Sequence, residues 1–291
     1  MKKAYVILSH KQPDMLIRLI SRLDDDCSDF FVHLDKKISS VVYDQIRFSG
    51  NRIKMVERVY CEWGGFGIVQ ATLNGLKMVL ENNTDYERII LLSGQDYPIK
   101  KNSYIDEFFR SSRFSIFLEY FEIPNHYKWE DDGGLYRTGK YFFGMRRYQR
   151  LISKTLNLMG IIFPFAARKI PGKLKPYAGS QWWTLDMDAI RYIFRFIETH
   201  PWYTSFHKAT FASDELFFQM ILLNATDETL LQKISNDHIR FMRWKTPGAS
   251  HPEIIRKANL GEVVSSTALF ARKFDLSADA EILELIDQDC L

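Results

Sequence analysis

The residues of this chain able to do chemistry are its paired acids, a late pair of cations and several tryptophans. Asp214-Glu215 stands where an apolar helical pattern begins. Acids there complement the positive end of a helix dipole, worth about 0.3–1 kcal/mol. The sharper reading makes Glu215 a general base, since a carboxylate presented at a rigid helix terminus can take a proton from a hydroxyl within hydrogen-bond reach. Arg272-Lys273 follows the apolar Ala268–Phe270. Such a pair is either solvated surface charge or a fixed cationic site for a diphosphate leaving group. Asp186-Met187-Asp188 has the D-x-D form of a divalent-cation site. It lies where a strand passes into a helix, and N-capping explains it at lower cost. After the strand ending at Leu92, Gly94-Gln95-Asp96 offers a single acid, so no metal is expected. Asp24–Asp26 reads as a solvated turn. Trp63-Gly64-Gly65-Phe66-Gly67 is glycine-rich but is neither a Walker loop nor G-x-G-x-x-G. Trp182, Trp183 and Trp244 either fill the core or lay aromatic faces against sugar rings. G-x-S-x-G, H-E-x-x-H and a Cys–His nucleophile context are all missing from the sequence.

Positioning these groups requires a scaffold, and the first third of the chain supplies its pattern. Ala4–Leu8, Phe30–Leu34, Ile53–Val56 and Arg88–Leu92 read as short buried strands. Leu16, Leu19, Ile20 and Leu23 place a helix from Pro13 to Leu23, and Val69–Glu81 forms another. Strand–helix–strand repeats predict an α/β fold with a mainly parallel sheet flanked by helices. Ligands bind such sheets at the carboxyl ends of the strands. Ser9-His10, His33-Leu34-Asp35 and Ser93–Asp96 are therefore expected together on one edge. Residues 121–150 read as a long excursion over the ligand face. Beyond them, Gln181–Leu185 is expected as a strand, Met187–Glu198 and Ser213–Leu223 as helices, and Arg240–Trp244 as a short strand.

The chain has 291 residues, 46% of them hydrophobic, which excludes intrinsic disorder over most of its length. A net charge of +3 is too mild for a dedicated nucleic-acid binder and suits an anionic small ligand. One domain over 1–291 is the simplest organisation, with halves at about 1–115 and 116–291. Cys27, Cys61 and Cys290 are scattered and odd in number, so a disulfide framework or structural zinc is not expected and a reducing, cytoplasmic compartment is. The longest apolar run, Leu158–Ala167, falls short of the roughly 18 residues of a spanning helix. It sits within 146–175 among eight Lys or Arg. That stretch reads either as a buried helix with a solvated basic edge or as a peripheral contact with an anionic membrane.

Taken in order, the motifs resemble the core-2/I-branching enzyme family (glycosyltransferase family 14), which includes β-1,6-N-acetylglucosaminyltransferases and peptide O-xylosyltransferases. The resemblance rests on Val32-His33-Leu34-Asp35-Lys36-Lys37, Trp63 with Val69-Gln70-Ala71-Thr72-Leu73, and Leu91-Leu92-Ser93-Gly94-Gln95-Asp96-Tyr97-Pro98-Ile99-Lys100. It continues through Leu118-Glu119, Gly179-Ser180-Gln181, Ser213-Asp214-Glu215 and Leu269-Phe270-Ala271-Arg272-Lys273-Phe274-Asp275. It implies a GT-A-type fold, a UDP-sugar donor, inversion at the anomeric carbon and no metal or other cofactor. By the same resemblance Glu215 is the catalytic base, Asp35 meets the uracil, and Lys273 with Arg272 meets the diphosphate. Ser9, His10 and Asp96 join the donor side. Glu119, Ser180, Gln181 and Trp244 belong to the acceptor. The family's second diphosphate-binding Arg has only His251 or Arg256 as rough counterparts. GlcNAc is the favoured sugar and xylose the next, with a glycan or lipid-linked glycan as acceptor. The alternatives are a non-catalytic nucleotide-sugar or glycan-binding protein, which would not need Glu215, and a metal-dependent transferase using Asp186 and Asp188.

Overall fold

The early strands alternate apolar residues on both faces, so each must be covered on both sides. The computed structural model describes residues 1–47, 52–246, 249 and 251–289. The first half of the chain runs β1 (Lys3–Ser9), α1 (Pro13–Leu23), β2 (Ser28–Leu34), α2 (Ser40–Arg47), β3 (Ile53–Met55), α3 (Gly67–Glu81), β4 (Arg88–Ser93), β5 (Asp96–Pro98), α4 (Asn102–Ser111), β6 (Ile116–Leu118), β7 (Phe121–Glu122) and α5 (Leu135–Gly139). The second half runs α6 (Arg147–Ile162), β8 (Tyr177–Ala178), β9 (Trp183–Leu185), α7 (Met187–Thr199), α8 (Pro201–His207), α9 (Phe217–Leu223), α10 (Glu228–Gln232), β10 (Ile234–Ser235), β11 (Arg240–Met242), α11 (Leu260–Ser265), β12 (Phe270–Arg272) and α12 (Glu281–Asp289).

A seven-stranded sheet in the order β10-β6-β9-β4-β1-β2-β3 forms the centre, as expected of a mixed, mainly parallel α/β fold. Along β1, Ala4 and Val6 enter one apolar core while Tyr5 and Ile7 enter the other. The first core packs under α3, α7 and α9; the second packs under α1 and α12. β1, β2 and β4 are parallel and in register, Ser9 opposite Leu34 and Leu8 opposite Ser93, so their carboxyl ends open on one edge. β9 runs antiparallel to β4 and pairs Leu185 with Ile89, which carries Asp186 to the opposite edge. A smaller sheet, β11-β12-β5, brings the tail segment against the residues that follow β4.

Three expectations change. Ser213–Leu223 is not one helix: Ser213–Glu215 forms a separate 3-10 turn, because Ala212 is left-handed (φ 48°) and Leu216 breaks helical geometry before α9 starts. The acidic turn at 24–26 is not merely solvated. Lys3 of β1 is wholly buried and is matched by Asp25 at 2.6 Å and by Asp106, since an ammonium removed from water must keep charged partners. The apolar run within 146–175 is not buried either; Ser153 alone is buried in α6, and Ile161 and Phe165 are 77% and 86% exposed.

Two histidines, His207 and His33, are buried in the fold. His207 is fully enclosed by the rings of Tyr203, Phe206 and Phe217, and neither of its ring nitrogens has a partner. Burial, and then the charge of Arg168, lowers its pKa to about 3. His33, whose Nε2 accepts the Val59 amide at 3.0 Å, is lowered by burial to about 4. A histidine depressed in the folded state protonates first in the unfolded chain, so the stability it contributes is present above about pH 6.5 and is lost as pH falls toward the folded value. We expect His207→Leu to flatten the fall in melting temperature between about pH 7 and about pH 4. An unchanged slope in thermal melts would show that His207 is not a source of acid lability.

Candidate active site

The open edge begins with Asp35. Its amide donates to the Ser9 carbonyl at 2.8 Å, and its Oδ1 accepts the Lys37 amide at 2.9 Å. Arg58 caps the carbonyls of Leu34 and Asp35 at 3.2 and 3.0 Å. The carboxylate is thus fixed at the end of β2. Gly94, after β4, donates to the Leu8 carbonyl at 2.9 Å, and a Cβ there would lie 2.6 Å from Ser9 Oγ. Ser9 itself is buried and donates to the Lys11 carbonyl at 3.3 Å, so it shapes the loop. His10 reaches the surface. The protein packed around it, then Lys11 and Lys273, lower its pKa against the pull of Asp35.

The tail completes this cationic corner. Gln95 accepts the Phe274 amide at 2.9 Å through its carbonyl and donates to the Phe274 carbonyl at 3.0 Å through Nε2. The Lys273 carbonyl accepts the Ile255 amide at 2.9 Å. Burial, then repulsion from Lys11 and Arg272, lowers the Lys273 pKa, and among the described residues Lys273 has no ion-pair partner. Lys11 is drawn away to Asp275 at 2.6 Å. The Arg272 side chain is turned inward. Its guanidinium lies 3.2 Å from Asp96 and 4.2 Å from the centre of the Trp182 ring. Asp96 is wholly buried and also accepts the Ser93 amide at 3.0 Å, so its carboxylate faces Arg272 and not the open edge.

Gly179 joins two distant segments. Its amide donates to the Glu215 carbonyl at 2.9 Å, while a Cβ on it would sit 1.8 Å from the Glu119 carbonyl oxygen. Glu119 follows β6 and meets Lys128 Nζ at 3.0 Å and His238 Nε2 at 3.6 Å. Ser180 Oγ accepts the Trp182 amide at 3.2 Å and its carbonyl accepts Gln219 Nε2 at 2.7 Å; Gln181 is half-buried beside them. Trp244 is exposed just beyond β11. Trp183 lies in the core against Phe218, and Trp182 lies under Arg272.

Glu215 is partly exposed, and its Oε2 accepts Arg137 Nη1. The Arg137 guanidinium stacks 3.8 Å from the centre of the Trp129 ring. Asp214 is buried with Oδ1 unpartnered, and burial followed by the Glu215 charge raises its pKa well above the usual carboxylate range. Arg137 and Trp129 belong to no motif; the sequence signal was only the density of aromatic, Gly and charged residues in 121–150. Trp63 stands exposed with its ring against Phe211 and His251, and the Gly64 carbonyl accepts the Ala212 amide at 2.8 Å. Gly64 is needed for packing, since a Cβ there would press on the Phe211 ring at 2.6 Å. Of the two rough diphosphate candidates, His251 lies beside Trp63, whereas Arg256 turns to the Ala278 carbonyl at 2.7 Å. Asp186 caps α7 by accepting the Ala189 amide at 2.8 Å, and Asp188 pairs with Lys233 at 2.9 Å.

The sequence profile of the core-2/I-branching enzymes matches residues 3–264. The chain belongs to that family. It is similar to beta-glucuronosyltransferase GlcAT14B of Arabidopsis thaliana, 24% identical over 99% of this chain and 66% of the relative. Xylosyltransferase 2 of Rattus norvegicus is 22% identical over 98% of this chain and 33% of that protein. The chain thus spans between a third and two-thirds of the length of these relatives. Among solved structures, HddC from Yersinia pseudotuberculosis aligns with 65% of this chain and 79% of its own at 13% identity and a TM-score of 0.32. In this core-2/I-branching chain the close approach at Gly179 is directly testable. Gly179→Ala forces the Glu119 and Glu215 segments apart, and overpacking of this kind costs about 1–3 kcal/mol. We expect a lowered melting temperature; an unchanged one would show that the contact yields freely.

Proposed function

We propose that the protein is an inverting glycosyltransferase that moves a sugar from a UDP-sugar to a hydroxyl of a glycan acceptor without a metal. The observation that carries this is the junction at Gly179, where the backbones of the two residues assigned to base and acceptor meet, in a chain whose tail also holds a lysine with no ion-pair partner among the described residues. In the reaction the acceptor oxygen attacks the anomeric carbon of the donor. The carbon–oxygen bond to the diphosphate breaks, the hydroxyl proton passes to Glu215, and the charge left on UDP meets Lys273. Fixed cations stabilise such a leaving group as its charge develops. Asp35 serves the uracil, with His10 beside it. Glu119 and Trp244 hold the acceptor, because alignment of two bound reactants supplies much of the rate. Arg137 engages Oε2 of Glu215 and so sets the direction of the other oxygen.

The family membership and the relatives' names support transfer of a monosaccharide. GlcNAc remains our favoured sugar and xylose the next; the glucuronosyltransferase relatives add glucuronic acid to the panel worth assaying. We favour action on a glycan or lipid-linked glycan in surface polysaccharide or glycoconjugate synthesis, on the cytoplasmic face of a membrane that residues 146–175 touch peripherally. No helix among the described residues is long and apolar enough to cross one.

The test is UDP release from a panel of UDP-sugars with EDTA present. Release from one donor is expected; UDP binding with no turnover in the presence of glycan acceptors would favour a binding protein. Glu215→Gln should lower kcat by about 10²–10⁴-fold with UDP affinity retained. Near wild-type turnover would remove Glu215 as the base. Arg137→Ala should lower kcat by about 10²-fold with little change in donor KM, and Arg137→Lys should restore part of it, as expected of a residue that orients the base. An effect confined to donor KM would place Arg137 at the donor instead.

A further inference from the structure

α6 is amphipathic in the reverse of the usual sense. A surface helix ordinarily turns its apolar stripe to the core and its polar side to water. Here the polar and small side faces the protein. Ser153 Oγ accepts the Phe143 amide at 3.1 Å. Asn157 accepts the Tyr141 amide at 2.7 Å and donates to the Tyr141 carbonyl at 3.0 Å. Gly160 packs against Ala167, where a Cβ would meet Cα at 3.1 Å. The apolar side faces outward: Leu151, Leu158, Ile161 and Ile162 are each more than half exposed, and Phe165 follows at 86%. Folding buries none of them, so the fold does not account for their being apolar. A contiguous exposed apolar surface of this kind marks a docking face.

The charge pattern identifies the occupant. Residues 146–175 hold eight Lys or Arg and no Asp or Glu, in a chain whose net charge is only +3. Arg147, Arg150 and Lys154 are exposed on the first turns of α6, and Lys169, Lys173 and Lys175 follow it. Two copies docked through this face would set like charges against each other. A bilayer with anionic headgroups offers both what the apolar stripe needs and what the cations need. We propose that α6 and the Phe163–Phe165 turn lie in the plane of an anionic membrane, with the apolar stripe inserted and the cations at the headgroups. The proposal deepens the peripheral contact read above and fits an acceptor carried on a lipid. The segment is also tied to the site: Arg168 donates to the carbonyls of Arg137, Thr138 and Lys140 at 3.0, 3.3 and 2.8 Å, and Arg137 holds Glu215.

The test is co-sedimentation of the full chain with vesicles of phosphatidylcholine alone or mixed with phosphatidylglycerol. The wild type should bind the anionic vesicles at least about tenfold more than the neutral ones. The variant Leu158→Glu/Ile161→Glu/Phe165→Glu should lose that binding by about tenfold, with its melting temperature and UDP affinity unchanged, since all three side chains are exposed. Three results would overturn the proposal: equal or absent binding to the two vesicle types, full binding by the variant, or a wild-type dimer in sedimentation velocity that the variant dissolves. Calorimetry with UDP on the same samples separates the two readings. Intact UDP binding beside failed vesicle binding sinks only the membrane face, and vesicle binding without UDP binding sinks only the transferase reading.

Discussion

The site depends on a place where three segments must touch and a side chain cannot fit. Gly179 carries no Cβ, so the Glu119 carbonyl occupies the space a side chain would take, while its amide is bonded to the Glu215 carbonyl. The segment after β6, the segment after β8 and the 3-10 turn before α9 are thereby fixed to one another through backbone atoms. Side-chain rotamers can vary without moving these anchors. A second close approach, Gly94 against Ser9, does the same for the ends of β1 and β4. Two contacts that exclude a methyl group therefore fix the two halves of the candidate site.

Between those halves, charge is arranged unequally. Arg272 and Lys273 are neighbours in sequence but differ in their surroundings. Arg272 turns inward, where Asp96 and the Trp182 ring compensate a guanidinium taken out of water. Lys273 has no ion-pair partner among the described residues, and repulsion from Lys11 and Arg272 outweighs the pull of Asp275 on it. Glu215 presents the mirror case. It is partnered by Arg137 and shares its turn with Asp214, whose carboxyl pKa is raised first by burial and then by the neighbouring charge of Glu215.

Most of the scaffold was legible because its signals are local. The apolar run of β1, the helical spacing of Leu16, Leu19, Ile20 and Leu23, and the parallel repeat are set by residues close in sequence. Asp186 could be read as a cap for the same reason. Asp25 could not be read as the partner of Lys3, nor Asp96 as that of Arg272, because each pairing joins residues that only the fold brings together. Arg137 was hidden for a further reason. The segment 121–150 is held by backbone contacts such as the Asn125 amide to the Gly133 carbonyl at 2.9 Å, and by ring stacking on Trp129, neither of which leaves a periodic pattern. The direction of α6 was left open between two readings because periodicity reports that a stripe is apolar, not which way it faces.

Arg168 shows how the outer helix and the inner turn share one support. It is buried without a carboxylate partner among the described residues, and burial lowers its pKa to about 10. Its charge is met by the carbonyls of Arg137, Thr138, Lys140 and Phe206, by Thr210 Oγ1 at 2.6 Å, and by the Phe206 ring 3.9 Å away. A guanidinium has five N–H donors in a fixed fork, so it can hold several backbone strands at once where a lysine could not. Those strands are the end of α5, which carries Arg137, and the end of α8, which leads to the turn bearing Glu215. Arg168 lies a few residues beyond the exposed phenylalanines that follow α6, so one buried cation joins the backbone next to that surface to the segments that carry Arg137 and Glu215.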